Sequence, residues 1–178
     1  MQFTATQIEG VTLVEPARAT DDRGFFARLH CPHDFAVAGH AFEPAQTSLS
    51  RNTAALTLRG LHYQAAPHAE VKLVRVTRGR AFDVVVDLRR ESPTFRRWLG
   101  VELSAEAANA VLIGEGLAHG FLTLEPNTDV VYQIAPRYEP GHDRGVRWDD
   151  PAFNIEWPAE PEVISPRDAA YPDYRVEG

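Results

Sequence analysis

Residues Val71–Leu88 read VKLVRVTRGRAFDVVVDL, and they carry the strongest structural signal of the chain. Two runs rich in β-branched residues, Val71–Val76 and Ala81–Leu88, flank a short polar segment that contains Gly79. Such runs are typical of β-strands, and a glycine between them permits a turn with positive φ. The stretch therefore predicts a hairpin of two paired strands joined at Gly79.

Similar short runs occupy the middle of the chain. Turn residues separate them at the spacing of an all-β sandwich or barrel, and helical periodicity is scarce. Residues 47–64 are predicted to hold two strands with a loop near Asn52, and Ser104 is placed to cap a single helical turn. Further strands are predicted at Phe95–Leu103, Ala110–Ile113, Gly120–Leu124 and Asp129–Ile134.

The C-terminal segment has a different composition. Four prolines follow Trp157, which excludes a long helix and predicts an extended segment laid over the barrel. Such a segment is able to carry Asp168 to a pocket. No internal repeat, low-complexity tract or linker divides the chain.

Length and charge restrict the class of protein. The 178 residues, 44% of them apolar, suit one compact domain spanning residues 1–178. A net charge of -7 argues against a general nucleic-acid binder, so an anionic ligand requires a local cationic pocket. No segment approaches the roughly 18 apolar residues of a membrane span, so no membrane association is expected.

Cysteine content indicates the redox environment. Cys31 is the only cysteine, so one chain can form neither an internal disulfide nor a thiolate-rich zinc site. A reducing, cytoplasmic setting is expected.

Three strand residues form the candidate reactive cluster. Because alternate residues of a strand share a face, Tyr132 lies in an otherwise apolar row with Val130 and Ile134. Inside a barrel, His62, Lys72 and Tyr132 would form a polar cluster in an apolar cup, as in many small-molecule sites. The trio suits proton transfer beside a carbonyl, with a histidine base, a lysine that stabilises the enolate and a tyrosine acid.

A carboxylate hydrogen-bonded to His62 would fix its tautomer and raise its basicity. Asp168 and Asp83 are both candidates, and their spacing leaves the choice open. Each member of the trio also has a structural interpretation, because histidines, lysines and tyrosines in strands often serve packing or edge protection.

A metal site is the main competing interpretation. His62 and His119 are candidate ligands on different strands, although Gln64 stands where a second, closely spaced histidine is expected. Arg23 suits either an anion-binding loop or a surface ion pair with Asp21 or Asp22. The neighbouring Phe25 and Phe26 are interpreted as a core anchor.

Ordered motifs across nearly the whole chain resemble the dTDP-4-dehydrorhamnose 3,5-epimerase family of cupin-like jelly-roll enzymes. They are Asp22–Phe26, Leu58–Gln64, Lys72–Val76, Asp83–Arg89, Ser92–Phe95, Ala118–Phe121, Val131–Tyr132, Arg147–Pro151 and Ile164–Asp168.

The resemblance implies an all-β, cupin-type jelly roll with short helical turns and an extended C-terminal segment. It implies epimerisation at C3, C5 or both of a dTDP-linked 4-keto-6-deoxy sugar, without metal or organic cofactor. By the same resemblance His62 is the base paired with Asp168, Tyr132 is the acid on the opposite ring face, and Lys72 stabilises the enolate.

The resemblance also implies a substrate-contacting set and a homodimer. The segment before Asp21 is expected to pair with a partner subunit through exchanged N-terminal strands. Arg23 and Arg59 correspond to residues that hold the nucleotide diphosphate. The other implied contacts are Phe26, Gln46, Ser48, His119, Tyr138 and Arg167.

Four positions depart from the family pattern. Ser48 replaces an asparagine, Arg28 a glutamate, Leu56 a glycine and Gly114 a proline. The acid, base and lysine are retained, so the departures concern which sugar is used more than proton transfer. Single-carbon epimerisation, a metal-dependent cupin enzyme and a non-catalytic sugar-nucleotide binding module remain alternatives.

Overall fold

The computed structural model describes residues 1–175, which form fourteen strands and two short helices. The strands are β1 (Gln2–Ala5), β2 (Val11–Glu15), β3 (Arg18–Asp21), β4 (Gly24–Ala27), β5 (Gln46–Asn52), β6 (Thr57–Gln64), β7 (Val71–Arg78), β8 (Arg80–Asp87), β9 (Trp98–Ser104), β10 (Ala110–Ile113), β11 (Leu117–Thr123), β12 (Thr128–Ala135), β13 (Asp143–Gly145) and β14 (Val163–Ile164). The helices are α1 (Pro32–Val37) and α2 (Pro166–Ala169).

Two largely antiparallel sheets pack face to face. The first has the order β1-β2-β10-β7-β12-β5, and the second has the order β13-β6-β11-β8-β9, with β14 added parallel to β6. Inward-facing side chains of both sheets form the main core, which includes Val74, Val85, Phe121 and Val130. This arrangement confirms the all-β jelly roll expected from the sequence.

The predicted pairing of the two strands around Gly79 is wrong. β7 pairs with β10 and β12 in the first sheet, whereas β8 pairs with β9 and β11 in the second. Gly79, with a φ of 75°, turns the chain from one sheet to the other. Both strands are largely buried on both faces, so their apolar pattern specifies a strand but not its neighbour.

Most other predicted elements are present. The two strands expected in residues 47–64 are β5 and β6, and the strand at 110–113 has the predicted bounds. The turn after β9 is capped as expected, because the Ala107 amide donates to Ser104 Oγ at 3.0 Å. The C-terminal segment contains β14 and α2, which the prolines did not indicate.

Segments outside the two sheets cover their outer faces. Phe35 of α1 and Phe42 pack on the first sheet against Leu73. Val146 and Phe153 pack on the second sheet in a separate apolar cluster. Neither helix within residues 1–175 has the length and apolar character needed to cross a membrane.

Strands β3 and β4 form a two-stranded sheet of their own, here called the β3–β4 hairpin. Phe25 and Phe26 are 46% and 74% exposed on it, so their interpretation as a core anchor is wrong for the single chain. β1 and β2, which were expected to pair with a partner, pair within this chain. The apolar residues of the hairpin indicated a strand without indicating what it contacts.

Candidate active site

A cavity of about 660 Å³ lies among residues contributed by both sheets and the C-terminal segment. The four residues predicted to carry the chemistry, His62, Lys72, Tyr132 and Asp168, all line it. It is also lined by five of the predicted substrate contacts, namely Ser48, Arg59, His119, Tyr138 and Arg167.

An irregularity in β6 shapes the cavity wall. His119 of β11 is opposite His62 and Phe121 is opposite Arg59, so β6 carries one extra residue between these pairs. A bulge of this kind reverses the alternation of side chains. Arg59 and His62, three positions apart, therefore both face the cavity.

Close backbone contact holds this bulge. A Cβ atom on Gly60 would lie 2.5 Å from Gly120 Cα, and one on Gly120 would lie 2.7 Å from Arg59 O. Gly60 also has a φ of 136°, which L side chains rarely adopt. The two glycines allow β6 and β11 to approach closely beside the site.

His62 is hydrogen-bonded to Asp168, one of its two candidate partners. The distance from His62 Nε2 to Asp168 Oδ1 is 2.8 Å, and Asp168 Oδ2 accepts from the Gly60 amide at 3.2 Å. Ser165 caps α2 by accepting from the Asp168 amide, which fixes the start of the helix that carries this side chain. The His62 side chain is 40% exposed toward the cavity, whereas Asp168 is buried.

Burial by itself would raise the pKa of Asp168, but the hydrogen bonds from His62 and the Gly60 amide outweigh it and leave this pKa below its usual value. The carboxylate is therefore charged at neutral pH. It can orient the His62 ring and stabilise its protonated form.

The other candidate carboxylate, Asp83, is bound to a different histidine. Asp83 Oδ2 lies 2.8 Å from His119 Nε2, and both side chains are buried. Burial raises the pKa of Asp83, while His119 and Lys72 act in the opposite direction. The two histidines on neighbouring strands thus have separate carboxylate partners.

Tyr132 lies beside this second pair. Its ring centroid is 6.0 Å from that of His119, and it packs against the main core. Burial raises the pKa of the Tyr132 phenol well above its usual range, and the charge of Asp83 raises it further, with Arg59 opposing. The phenol is therefore neutral and retains the proton that a general acid must donate.

Lys72 is held by a residue that the sequence interpretation missed. Lys72 Nζ lies 2.7 Å from Glu70 Oε1 and donates to the carbonyl of His62 at 3.4 Å. The signal was present, because residues two apart at the start of a strand share a face. Glu70 also lines the cavity.

Two cavity arginines bind neutral acceptors. Arg59 Nε donates to the side-chain oxygen of Asn52 at 2.8 Å, and Arg144 donates to the carbonyls of Gly141 and Asp143. These contacts leave the guanidinium charges available for an anion. Arg144 and Asp143 were missed because the three residues of β13 show no strand pattern.

Tyr138 and Arg167 converge on one carboxylate at the cavity rim. The Tyr138 hydroxyl donates to Asp143 Oδ1 at 3.2 Å, and Arg167 forms an ion pair with the same side chain. Gln46 accepts from the Tyr138 amide at 3.0 Å and does not line the cavity. Its position supports a loop-holding role beside the site.

Arg23 and Phe26 are not brought to the cavity of their own chain. The Arg23 side chain is 90% exposed and forms a 2.5 Å ion pair with Asp21, the alternative left open by the sequence. Both residues belong to the β3–β4 hairpin.

Within residues 1–175, no three or more His, Cys, Asp or Glu side chains are grouped so that they could hold a metal ion. The Nε2 atoms of the two candidate ligands, His62 and His119, each contact a carboxylate.

The sequence and fold were compared with known proteins. The model of the family described as dTDP-4-dehydrorhamnose 3,5-epimerase matches residues 5–175. The chain belongs to this family. A dTDP-4-dehydrorhamnose 3,5-epimerase from Shigella flexneri is 42% identical over 169 residues, covering 94% of this chain and 93% of that protein.

Solved structures agree with this family membership. A dTDP-4-dehydrorhamnose 3,5-epimerase from Bacillus anthracis, with TDP and PPi bound, superposes with a TM-score of 0.94 at 38% identity, covering 97% of this chain and 99% of that one. A 3'-monoepimerase from Streptomyces bikiniensis, in complex with dTDP-quinovose, gives a TM-score of 0.89 at 35% identity, with coverages of 96% and 86%. The predicted family is thereby confirmed.

The departures from the epimerase family pattern fall in different places. Ser48 lines the cavity and is the Cα partner of Tyr132 on the neighbouring strand. Leu56 does not line the cavity, and it has a φ of 51° in the turn before β6. Glycine is the residue that favours this backbone conformation, so the Leu56 departure concerns the turn.

Proposed function

We propose that this protein epimerises the carbons beside the keto group of a dTDP-linked 4-keto-6-deoxy sugar. One observation carries the proposal: a histidine paired with a charged carboxylate, a neutral phenol and a lysine ammonium line the same cavity. Family membership supplies the substrate class. The C4 keto group acidifies its neighbouring C–H bonds, so positioned side chains suffice for the reaction.

His62 acts as the base in this proposal. Its Nε2–H donates to Asp168, which leaves Nδ1 free to accept the proton from carbon. The electrons of the broken C–H bond form a C=C bond, and the C4 oxygen becomes an enolate oxygen. The ammonium of Lys72 stabilises that negative charge.

Tyr132 completes the inversion. Its neutral hydroxyl donates a proton to the opposite face of the same carbon, and the keto group re-forms. Burial raises the pKa of this phenol, so the hydroxyl is protonated at neutral pH and its proton is present for transfer to the enolate carbon.

The arginines of the cavity bind the nucleotide diphosphate. Arg59 suits this role because it donates to the neutral amide oxygen of Asn52, so its charge is available to phosphate. The remaining proposed sugar and nucleotide contacts are Ser48, His119, Tyr138 and Arg167, with Gln46 supporting Tyr138.

The test is incubation with a dTDP-linked 4-keto-6-deoxyglucose in deuterated water, followed by NMR of the product. We expect deuterium at C3, C5 or both, together with inverted configuration. His62→Asn should nearly abolish exchange while nucleotide binding persists, because the phosphate contacts are separate from the base. Absence of exchange by the unmodified protein would contradict the proposal.

Epimerisation of a single carbon is the second candidate. It is favoured by the similarity to a structure described as a 3'-monoepimerase and by Ser48, which lies beside Tyr132. The number of deuterons at each carbon distinguishes the candidates. Deuterium at one carbon with inversion there alone supports the single-carbon enzyme.

We also propose that the protein is a homodimer of the cytoplasm that works without a metal or organic cofactor. The β3–β4 hairpin would carry Arg23 and Phe26 to the partner's cavity, which accounts for their exposure in one chain. We expect full activity after chelation and dialysis. If chelation abolishes activity and a divalent metal restores it, the proposal that the protein needs no metal is wrong.

A further inference from the structure

Glu70 contacts both the Lys72 ammonium and another cavity side chain, that of Gln64. Its Oε1 lies 2.7 Å from Lys72 Nζ, and its Oε2 accepts from Gln64 Nε2 at 3.3 Å. The side chains of Glu70 and Lys72 are 9% and 10% exposed. The pair is thus a nearly buried ion pair whose second carboxylate oxygen is also satisfied.

Gln64 extends this contact to the cavity rim. Its side-chain oxygen accepts from the Glu139 amide at 3.1 Å, and Glu139 follows Tyr138 in the loop between β12 and β13. A continuous chain of polar contacts therefore runs from Lys72 through Glu70 and Gln64 to the rim loop. Gln64 is buried on β6, two residues after His62.

We infer that Glu70 is a positioning residue for the reaction, which fixes the Lys72 ammonium at the enolate site and, through Gln64, holds the rim loop that carries Tyr138. The inference rests on the proposed function, in which Lys72 stabilises the enolate. A lysine side chain without a partner samples many rotamers, so a fixed partner keeps the ammonium in one place before the reaction begins.

The two oxygens of Glu70 have separable consequences. Loss of the Oε1 contact releases Lys72, which weakens stabilisation of a charge that exists only in the transition state and its intermediate. Such a loss lowers kcat. Loss of the Oε2 contact frees Gln64 and the rim loop, which weakens substrate binding and raises KM.

Three substitutions test this division. Glu70→Met removes both contacts, and we expect kcat to fall about 10- to 100-fold. Glu70→Gln keeps one oxygen that accepts from Lys72, so kcat should stay within about 3-fold. Its new amide group would face the amide group of Gln64, and because both are hydrogen-bond donors this contact is lost and KM should rise. Gln64→Met should reproduce the rise in KM with little change in kcat.

Controls separate positioning from folding. Glu102→Met makes the same chemical change on β9, where Glu102 forms an exposed ion pair with Arg80 of β8, and it should leave both kinetic constants unchanged. Because Glu70→Met leaves Lys72 without its partner, the double variant with Lys72→Met should recover thermal stability but not activity. Circular dichroism confirms folding at the assay temperature.

The outcomes distinguish this inference from the proposed function. If Lys72→Met is inactive while Glu70→Met keeps normal kcat and KM, the role of Glu70 is wrong and the proposed function stands. If Lys72→Met retains full activity, the enolate-stabilising role of the lysine fails, and the inference about Glu70 fails with it. If Glu70→Gln loses kcat as severely as Glu70→Met, positioning by a retained oxygen is refuted.

Discussion

His62 and His119 lie opposite each other on neighbouring strands, yet their different carboxylate partners give them different chemistry. Asp168 comes from the C-terminal segment and leaves the His62 ring facing the cavity. Asp83 comes from a neighbouring strand and holds His119 in the buried interior. The sequence offered both carboxylates for His62, and only their positions in the fold decided between them.

Substitution of Tyr132 tests the proposed acid. In Tyr132→Phe the base and the lysine remain, so proton abstraction should continue while donation from the opposite face is lost. We expect completed epimerisation to slow by at least about 100-fold. Deuterium should still enter with retention of configuration, and NMR of the recovered substrate measures both effects.

Tyr174→Phe is the matched control, because Tyr174 packs against Phe153 on the outer face of the second sheet. It should epimerise at the normal rate. Normal inversion by Tyr132→Phe would show that another group is the acid.

At the scale of elements, the alternation of side chains between the two faces of a strand predicted part of the site. It placed Tyr132 in a row with Val130 and Ile134, and that prediction is confirmed by the core and cavity residues. It could not place Arg59 beside His62, because the extra residue in β6 depends on contact with Gly120 of β11. Local pattern specifies strands well, but bulges and strand neighbours are set by packing between distant segments.

The end of β8 gives a prediction about acid stability. Asp87 has no exposed side-chain surface, and it accepts hydrogen bonds from Arg89, Ser92 and Thr94. Burial alone would raise the pKa of Asp87, but these bonds lower it to about 2. A lowered pKa means that the folded state binds the proton less readily than the unfolded chain, so this stabilisation is present above about pH 4 and is lost toward pH 2.

Asp87→Asn should therefore lower the free energy of unfolding by about 3 kcal/mol at pH 7, because half-buried Arg89 and the hydroxyls of Ser92 and Thr94 lose the buried charge to which they donate. The difference from the unmodified protein should shrink by about 2 kcal/mol between pH 5 and pH 2. Urea unfolding across this range measures it. Asp22→Asn, at an exposed position, is the control, and an Asp87→Asn difference independent of pH would contradict the account.

At the scale of the whole molecule, two sheets and their covering segments enclose a site whose parts are far apart in the sequence. Asp168 is 106 residues from His62, and the short helix that carries it is fixed by the Ser165 cap. The same architecture leaves the β3–β4 hairpin exposed. That exposure is the structural basis for the proposed homodimer.

The assembly prediction concerns this hairpin. The unmodified protein should elute at twice the mass of the chain, as measured by light scattering with size-exclusion chromatography. Replacement of both Phe25 and Phe26 by serine should shift the protein to the monomer. The apolar surface whose burial stabilises the proposed interface would then be absent. Arg23→Ala should raise KM without changing assembly.

Val37→Ser, at a 76% exposed position on α1, is the control and should stay dimeric. A fully active monomer of the unmodified protein would contradict both the dimer and the contribution of Arg23 to the partner's cavity.

The sequence by itself indicated the fold class, most of the strands, the family and the four side chains proposed to carry the reaction, two of which move protons. These follow from local residue preference and from motifs that keep their residue types and spacing. The tertiary structure decided which strands pair, which carboxylate orients His62, and that Glu70 holds Lys72. It also showed that Arg23 and Phe26 lie away from the cavity of their own chain. Such contacts join segments tens of residues apart, and their geometry is fixed only when both faces of each sheet are packed.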